Sequence, residues 1–179
     1  MPTIVVPFRP DDPKRRLAVE PGGERVRLAE AMLADVLAAA RDVGDVVLAD
    51  RAGGQGVAVA AALAAAADEP CLVVNADLPC ATVHDLRALA AAIPRDGLAV
   101  VAAADGTTNA LGLSAPRLFA PLYGAGSAGR FAALFPSVLV DLPNLADDVD
   151  TLDDLARLEA RAGPHTRAVL AALRGRAAA

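Results

Sequence analysis

Short apolar runs alternate with longer amphipathic stretches through the first part of the chain. The apolar runs predict buried strands at residues 3–7, 46–49, 71–75 and 98–103. The amphipathic stretches predict helices at residues 24–43, 56–67 and 82–93. Thr82 suits the N-cap of the last of these helices, and Asp85 occupies its capping-box position. Buried strands separated by such helices are typical of a parallel sheet covered on both faces, so the pattern predicts a doubly wound α/β sandwich.

The alternation changes after residue 104. The later pattern predicts strands at 107–114 and 138–141, a glycine-rich turn at 124–129 and a helical segment at 131–135. Residues 147–151 lead into a helix that ends near Gly163, and a last amphipathic helix follows. Because 179 residues fill one domain and no repeat or linker divides them, we predict a single domain spanning residues 1–179. Its fold class is α/β, with a mostly parallel sheet flanked by helices.

Composition narrows the classes of function. The chain is 55% hydrophobic but only 3% aromatic, and its net charge is −5. A nucleic-acid binder usually shows a broad basic face and stacking aromatics, so we expect no nucleic-acid partner, whereas small anionic ligands stay compatible with a locally basic pocket. No apolar run reaches the length of a membrane span and no signal segment opens the chain, so we expect a cytoplasmic protein without a membrane partner.

The basic loop after the first strand contains the only lysine of the chain, Lys14. Every other basic residue is arginine, and four of the positions from Arg9 to Arg16 are basic. A lysine retained in such a composition indicates a site that needs a compact ammonium group, as phosphate-binding loops do. A surface lysine without a function is the alternative.

Acidic residues follow the predicted strands at two places. Asp77 comes directly after the third apolar run, and in doubly wound sheets ligands bind beyond the carboxyl ends of the strands. Asp148 and Asp150 alternate along an extended segment, which places both carboxylates on one side. Thr151 with Asp154 forms a helix-capping box, but Asp148 and Asp150 would repel each other without a cation. We therefore predict that Asp77, Asp148 and Asp150 hold Mg²⁺, and a simple turn cap is the alternative for Asp77.

The turn at residues 124–129 matches the G-x-G-x-x-G pattern of dinucleotide-binding proteins. The residues before it make a poor strand, so we interpret it instead as an anion-binding nest. In this interpretation, consecutive backbone N–H groups and the Ser127 hydroxyl bind an anion at the start of a helix. A plain flexible turn is the alternative. The other candidate segments, at residues 53–56 and 106–111, are consistent with ordinary loops, and neither His84 nor His165 has a partner nearby in the sequence.

With these motifs in place, the chain resembles the 2-phospho-L-lactate guanylyltransferases, also called phosphoenolpyruvate guanylyltransferases, of coenzyme F(420) biosynthesis. Among the matching segments are Ala76-Asp77-Leu78-Pro79 and Asp148-Val149-Asp150-Thr151. The other matching segments, in the order of the family, lie at residues 6–17, 27–37, 106–111 and 123–127. The resemblance implies a fold like that of nucleoside-diphospho-sugar and molybdenum-cofactor nucleotidyltransferases. It also implies transfer of GMP from GTP to a small phospho-acid, with release of pyrophosphate.

The resemblance also implies roles for individual residues. Thr108, Gly124 and Ser127 match the positions that bind the phospho-acid. Asp77 and Asp150 match the metal-binding acids, which are catalytic together with Lys14. The positions that contact the nucleotide are matched by Arg9, Lys14 and Arg16. Two positions depart from the family: Ala60 stands where relatives often carry Asn, which implies a changed nucleotide contact, and Asn75 replaces an acid, which implies a weaker ligand at one metal site.

Two other functions stay open. One is a nucleotidyltransferase of the same fold acting on molybdopterin or a sugar phosphate, although residues 6–10 lack the glycine-rich loop usual in those enzymes. The other is a nucleotide-binding domain without catalytic turnover. The sequence also leaves open which phospho-acid is used, which base is selected and whether the chain forms a homodimer.

Overall fold

A computed structural model describes residues 1–8 and 23–177 of the chain. The strands of its sheet are β1 (Thr3–Pro7), β2 (Asp45–Ala49), β3 (Cys71–Val74), β4 (Leu98–Ala102), β5 (Thr108–Leu113) and β6 (Ser137–Leu139). The helices are α1 (Gly23–Arg41), α2 (Gln55–Ala64), α3 (Val83–Ala91), α4 (Ser127–Ala132), α5 (Pro143–Ala146), α6 (Leu152–Leu158) and α7 (Pro164–Ala177). The strands form one sheet in the order β2-β1-β3-β5-β4-β6. The structure confirms the predicted α/β class.

The sheet is mostly parallel, with one exception. Strand β5 runs antiparallel to both of its neighbours, β3 and β4, whereas the other pairs are parallel. Because β5 is reversed, its first residue lies at the sheet edge where β1, β3 and β4 end: Thr108 pairs with Ala102, and the Asn75 N–H donates to the Asn109 carbonyl at 3.0 Å. This arrangement brings residues from both ends of strands to a single edge.

Alternate residues of each strand bury opposite faces of the sheet. Ile4 and Val6 belong to a core cluster with residues of α1, α3 and α5, whereas Val5 belongs to a cluster with residues of α2 and α4 on the other face. Both faces are therefore covered by helices, as the unbroken apolar runs predicted. Cys71 and Cys80 are buried and form no disulfide, and burial raises the pKa of the Cys71 thiol to about 12.

Most predicted elements appear within a few residues of their expected bounds. The predicted helix at residues 131–135 is wrong in its bounds, because α4 begins at Ser127 and ends at Ala132. Gly126 takes the left-handed conformation at the N-cap position, with φ of 68°, and this starts the helix inside the predicted glycine-rich turn. The predicted capping boxes of Thr82 with Asp85 and of Thr151 with Asp154 are both confirmed.

The last helix is attached to the first by a buried carboxylate. Asp35 on α1 is 4% exposed and accepts hydrogen bonds from the backbone N–H groups of His165, at 3.0 Å, and Thr166, at 2.9 Å. These N–H groups lie in the first turn of α7 and have no partner within that helix, so Asp35 acts as its cap. Among the helices of residues 1–8 and 23–177, none is long and apolar enough to cross a bilayer.

Candidate active site

An open pocket of about 390 Å³ lies at the edge of the sheet where β1, β3 and β4 end. Its lining is almost entirely polar, and includes acids, amides, hydroxyls and a glycine-containing loop. The residues that line it are Gln55, Asn75, Asp77, Asp105, Thr107, Thr108, Asn109, Tyr123, Gly124, Ala125, Ser127, Asp148 and Asp150. The pocket therefore contains every predicted phospho-acid and metal residue that belongs to the described part of the chain.

The three predicted metal-binding acids converge in this pocket. One carboxylate oxygen from each of Asp77, Asp148 and Asp150 lies within 4.8 Å of the others, and all three residues are half-buried. Val149, between the last two, is fully buried and its N–H donates to the Asp77 carbonyl at 3.1 Å. Carboxylate oxygens are the ligands that Mg²⁺ prefers in proteins, so the donor set fits the predicted metal.

Charged residues of α6 and the loop after it hold the segment that carries Asp148 and Asp150. Asp147 accepts hydrogen bonds from Arg157, at 2.8 Å, and from Arg161, at 2.5 Å. Burial would raise the pKa of the Asp147 carboxyl, but the hydrogen bonds and charges of these arginines outweigh it and lower that pKa. On the other side, Asp154 accepts from the Asp150 and Thr151 N–H groups. The segment is thus fixed at both ends.

Amide side chains connect the acids to the rest of the pocket. Gln55 Nε2 donates to Asn75 Oδ1 at 2.7 Å, and Asn75 Nδ2 donates to the Thr108 carbonyl at 3.2 Å. Asn109 Nδ2 donates to the Ala146 carbonyl at 3.0 Å and approaches Asp148 Oδ1 at 3.4 Å. The departure at Asn75 therefore places an amide, already bonded to two neighbours, beside the acids.

The two predicted hydroxyl donors of the phospho-acid site contact each other. Thr108 Oγ1 and Ser127 Oγ are 2.9 Å apart, and both residues are buried. This pair joins the first residue of β5 to the first residue of α4. One of the two O–H groups donates within the pair, so the other O–H group can donate to a ligand in the pocket.

The predicted anion-binding nest is wrong for part of its length. The Ser127 N–H donates to the Gly124 carbonyl at 3.0 Å, and the Ala128 N–H donates to the Gly106 carbonyl at 3.2 Å. Both groups are therefore occupied by backbone acceptors and cannot serve an anion. Within the described residues, no hydrogen bond uses the N–H groups of Ala125 and Gly126, so these two groups are available as donors to an anion.

Several pocket residues were not predicted. Gln55, Asp105, Thr107, Asn109 and Tyr123 line the pocket, although none of them was named as a site residue. The one sequence feature that could have pointed to them is a polar residue next to glycine, as in the loop from Gly53 to Gly56. Three of the predicted residues, Arg9, Lys14 and Arg16, lie outside the described residues, so their nucleotide contacts stay predictions. Both histidines, His84 and His165, are exposed on helices.

Similarity to known proteins agrees with this geometry. Residues 23–173 match the family described as the MobA-like NTP transferase domain. The chain is 36% identical over 204 aligned positions to a phosphoenolpyruvate guanylyltransferase from Nocardia farcinica, a match that covers 93% of this chain and 89% of that protein. It is 34% identical to a 2-phospho-L-lactate guanylyltransferase from Natrialba magadii, with 87% and 82% of the two chains covered.

The chain belongs to the MobA-like NTP transferase family, among the phosphoenolpyruvate and 2-phospho-L-lactate guanylyltransferases. As a member of this family, the protein is a nucleotidyltransferase. A shorter match of 38% identity, to a phosphoenolpyruvate guanylyltransferase from Sphaerobacter thermophilus, covers 51% of this chain and 47% of that relative. The fold also agrees with a solved structure named as a nucleotide-diphospho-sugar transferase from Desulfovibrio desulfuricans: the TM-score is 0.71 at 16% identity, over 97% of this chain and 95% of the other.

Proposed function

We propose that this guanylyltransferase-family protein transfers GMP from GTP to phosphoenolpyruvate or 2-phospho-L-lactate and releases pyrophosphate. The observation that carries the proposal is the meeting of two sites in one pocket. Asp77, Asp148 and Asp150 stand together in it, and the Thr108–Ser127 pair also lines it. A nucleotidyl transfer between two phosphate compounds needs such a pair of adjoining anion sites.

The acids are the residues that would hold Mg²⁺, which when bound neutralises charge on the nucleotide phosphates. The other pocket residues would act by holding the acceptor phosphate next to the α-phosphorus of GTP. An oxygen of the acceptor phosphate attacks the α-phosphorus of GTP and forms a new P–O bond with it. The bond between the α-phosphorus and the oxygen that bridges it to the β-phosphate breaks, and pyrophosphate leaves. The attacking phosphate is already an anion, so the step needs no general base. The described lining of the pocket accordingly contains no histidine.

Neutral donors suit the acceptor side of the pocket. The acceptor is an anion that must approach three carboxylates and a triphosphate, so its binding site has to supply hydrogen bonds without adding negative charge. The free O–H group of the Thr108–Ser127 pair and the N–H groups of the adjoining loop are donors of this kind. Lys14 with Arg9 and Arg16 would bind the triphosphate, as their matching positions in the family imply.

The cellular setting follows from the same proposal. We place the reaction in the biosynthesis of the deazaflavin coenzyme F(420), in the cytoplasm, with a nucleotide and a small phospho-acid as the ligands and no nucleic acid. A homodimer remains a prediction from the sequence.

A substrate panel tests the proposal. The full chain with Mg²⁺ is incubated with each of the four ribonucleoside triphosphates and with phosphoenolpyruvate, 2-phospho-L-lactate, a phosphoglycerate or a sugar 1-phosphate. Pyrophosphate release is followed, and the product mass is determined by mass spectrometry. We expect a guanylylated phospho-acid. A product formed only with the sugar phosphate, or GTP binding without any product, would support one of the two alternative functions instead.

A further inference from the structure

Arg130, on α4, contacts the backbone of the loop that precedes its own helix. Its Nη1 donates to the Ala125 carbonyl at 2.6 Å, and its Nη2 donates to the Leu122 carbonyl at 2.8 Å. The same Nη2 lies 3.5 Å from the carbonyl oxygens of Tyr123 and Gly124. One guanidinium therefore contacts the carbonyl oxygens of four consecutive residues, and its planar arrangement of N–H donors is suited to several acceptors at once.

The direction of these carbonyls fixes the direction of the N–H groups beside them. In a trans peptide unit the C=O and the N–H of the next residue lie in one plane and point in opposite directions. The carbonyls of residues 122–125 share their peptide units with the N–H groups of residues 123–126. Because those carbonyls point towards Arg130, the four N–H groups point away from it.

The loop lines the pocket, and Arg130 does not. Gly124 and Ala125 line the pocket, whereas Arg130 is not among its lining residues. Both Gly124 and Gly126 have positive φ, of 108° and 68°, a backbone conformation that favours glycine, so the loop takes this path because glycine occupies both positions. The loop thus presents its carbonyls to the arginine, with its N–H groups on the side opposite the guanidinium.

We propose that Arg130 is a positioning residue of the acceptor site: it orients the peptide units of residues 122–125 so that their N–H groups bind the anionic part of the phospho-acid. The guanidinium also polarises these peptide units, which strengthens the N–H groups as donors. The proposal rests on the proposed function for the identity of the acceptor. It gives the Arg130 guanidinium a role at the pocket although Arg130 does not line it. It also assigns anion binding to N–H groups other than those of Ser127 and Ala128, which bond to backbone carbonyls.

Two substitutions of Arg130 and one control separate this role from a general loss of stability. Arg130→Gln removes the charge, and Arg130→Lys keeps it but cannot reach carbonyls spread over four residues. The control is Arg95→Gln, because the Arg95 side chain is 97% exposed and pairs only with its neighbour Asp96 among the described residues. Michaelis constants for phosphoenolpyruvate and for GTP are measured for each variant of the full chain with Mg²⁺, together with the melting temperature.

We expect the Michaelis constant for phosphoenolpyruvate to rise at least about tenfold in Arg130→Gln, the effect of losing one hydrogen bond to a charged ligand. Arg130→Lys should show most of this rise. The constant for GTP should stay within the range seen for Arg95→Gln. An unchanged constant for phosphoenolpyruvate, or equal losses for both substrates that follow the melting temperature, would overturn the proposal.

A binding measurement distinguishes a failure of this inference from a failure of the proposed function. Phosphoenolpyruvate and 2-phospho-L-lactate are titrated into wild-type and Arg130→Gln protein by calorimetry, with Mg²⁺ and a non-hydrolysable GTP analogue present. Binding that weakens in the variant supports the role of Arg130 even if no product forms with any nucleotide, in which case only the proposed reaction fails. Equal binding by both proteins overturns the role of Arg130 alone. Absence of binding by the wild type overturns both.

Discussion

The backbone N–H of Val149 donates a hydrogen bond of 3.1 Å to the carbonyl of Asp77. This bond joins the loop after β3 to the segment that carries Asp148 and Asp150. Val149 itself is fully buried, and in an extended segment its two neighbours point the opposite way, towards the pocket. Burial of one apolar side chain thus sets the positions of two carboxylates beside a third.

Replacing Asp77 or Asp150 should therefore remove metal binding without disturbing the fold. We expect Asp77→Asn and Asp150→Asn each to lower turnover to near zero, because each removes a charged oxygen ligand and leaves the backbone bond intact. Turnover with Mg²⁺ and Mn²⁺ affinity by electron paramagnetic resonance are the measurements. Asp153→Asn, which changes an exposed acid in the first turn of α6, is the control. Wild-type rates in either variant would contradict the metal assignment.

Elements set by local pattern could be predicted from the sequence. Strand β3 and the capping box of Thr151 with Asp154 both carry a clear local sequence pattern, and both were predicted close to their observed bounds. The meeting of Asp77 with Asp148 and Asp150 could also be predicted, because Asp77 follows a strand at the edge where ligands bind and the crowded pair Asp148 and Asp150 calls for a shared cation.

Features that depend on contacts distant in the chain could not be predicted. The predicted nest failed at Ala128 because its N–H bonds to Gly106, a residue of another loop. The direction of β5 depends on its pairing with β3 and β4, and no local pattern encodes that pairing. Asp35 was assigned to a helix but not to a cap, since the N–H groups it accepts from lie 130 and 131 positions away.

The contact between α1 and the start of α7 predicts a large effect at Gly163. A Cβ at this position would lie 2.3 Å from the Cγ and Oδ1 atoms of Asp35, far inside van der Waals contact. We expect Gly163→Ala to lower the free energy of unfolding by about 1–3 kcal/mol, as overpacked sites do, measured by urea denaturation. Gly175→Ala, on α7 with nothing within 4 Å of its Cβ, is the matched control and should be neutral or stabilising. Equal stability of Gly163→Ala and wild type would exclude this close packing.

The ion pairs of Asp147 predict a small acid-dependent loss of stability. Its folded-state pKa is lowered, so its contribution is present above the ordinary aspartate pKa and is lost as the pH falls through the folded value. Removing Arg157, which is 52% exposed in its ion pair, should lower the free energy of unfolding by less than about 1 kcal/mol at pH 7. Denaturation of wild type and Arg157→Gln at a series of pH values tests this. The difference between them should shrink in acid, and a constant difference would contradict the assignment.

Lys14 provides a test of the nucleotide site, on sequence evidence alone. Lys14→Ala should mainly impair the use of GTP, by about 2–3 kcal/mol of transition-state stabilisation, because its expected partner is the triphosphate. Lys14→Arg keeps the positive charge and should recover part of the loss. The ratio of kcat to KM for GTP, at saturating phospho-acid, is the measurement. An unchanged ratio in Lys14→Ala would leave a surface lysine as the explanation.

The Thr108–Ser127 pair predicts coupled effects on the acceptor. Ser127→Ala and Thr108→Ala should each raise the Michaelis constant for the phospho-acid by an amount worth about 1.5–3 kcal/mol, with GTP use nearly unchanged. Because the two hydroxyls are 2.9 Å apart and share one hydrogen bond, the double variant should lose less than the sum of the single losses. Thr108→Ser, which keeps the hydroxyl, is the control.

A substitution at Gly124, compared with the Thr108 and Ser127 variants, tests which substrate binds beside these residues. A bulky side chain at Gly124 should impair the acceptor more than either hydroxyl loss, because it closes the approach to the loop backbone and is strained at a φ of 108°. Titration calorimetry of the three variants with each substrate separates the two sites. If the variants weakened GTP and spared the phospho-acid, the two sites would have to be exchanged, and the N–H groups of residues 123–126 would then bind the nucleotide.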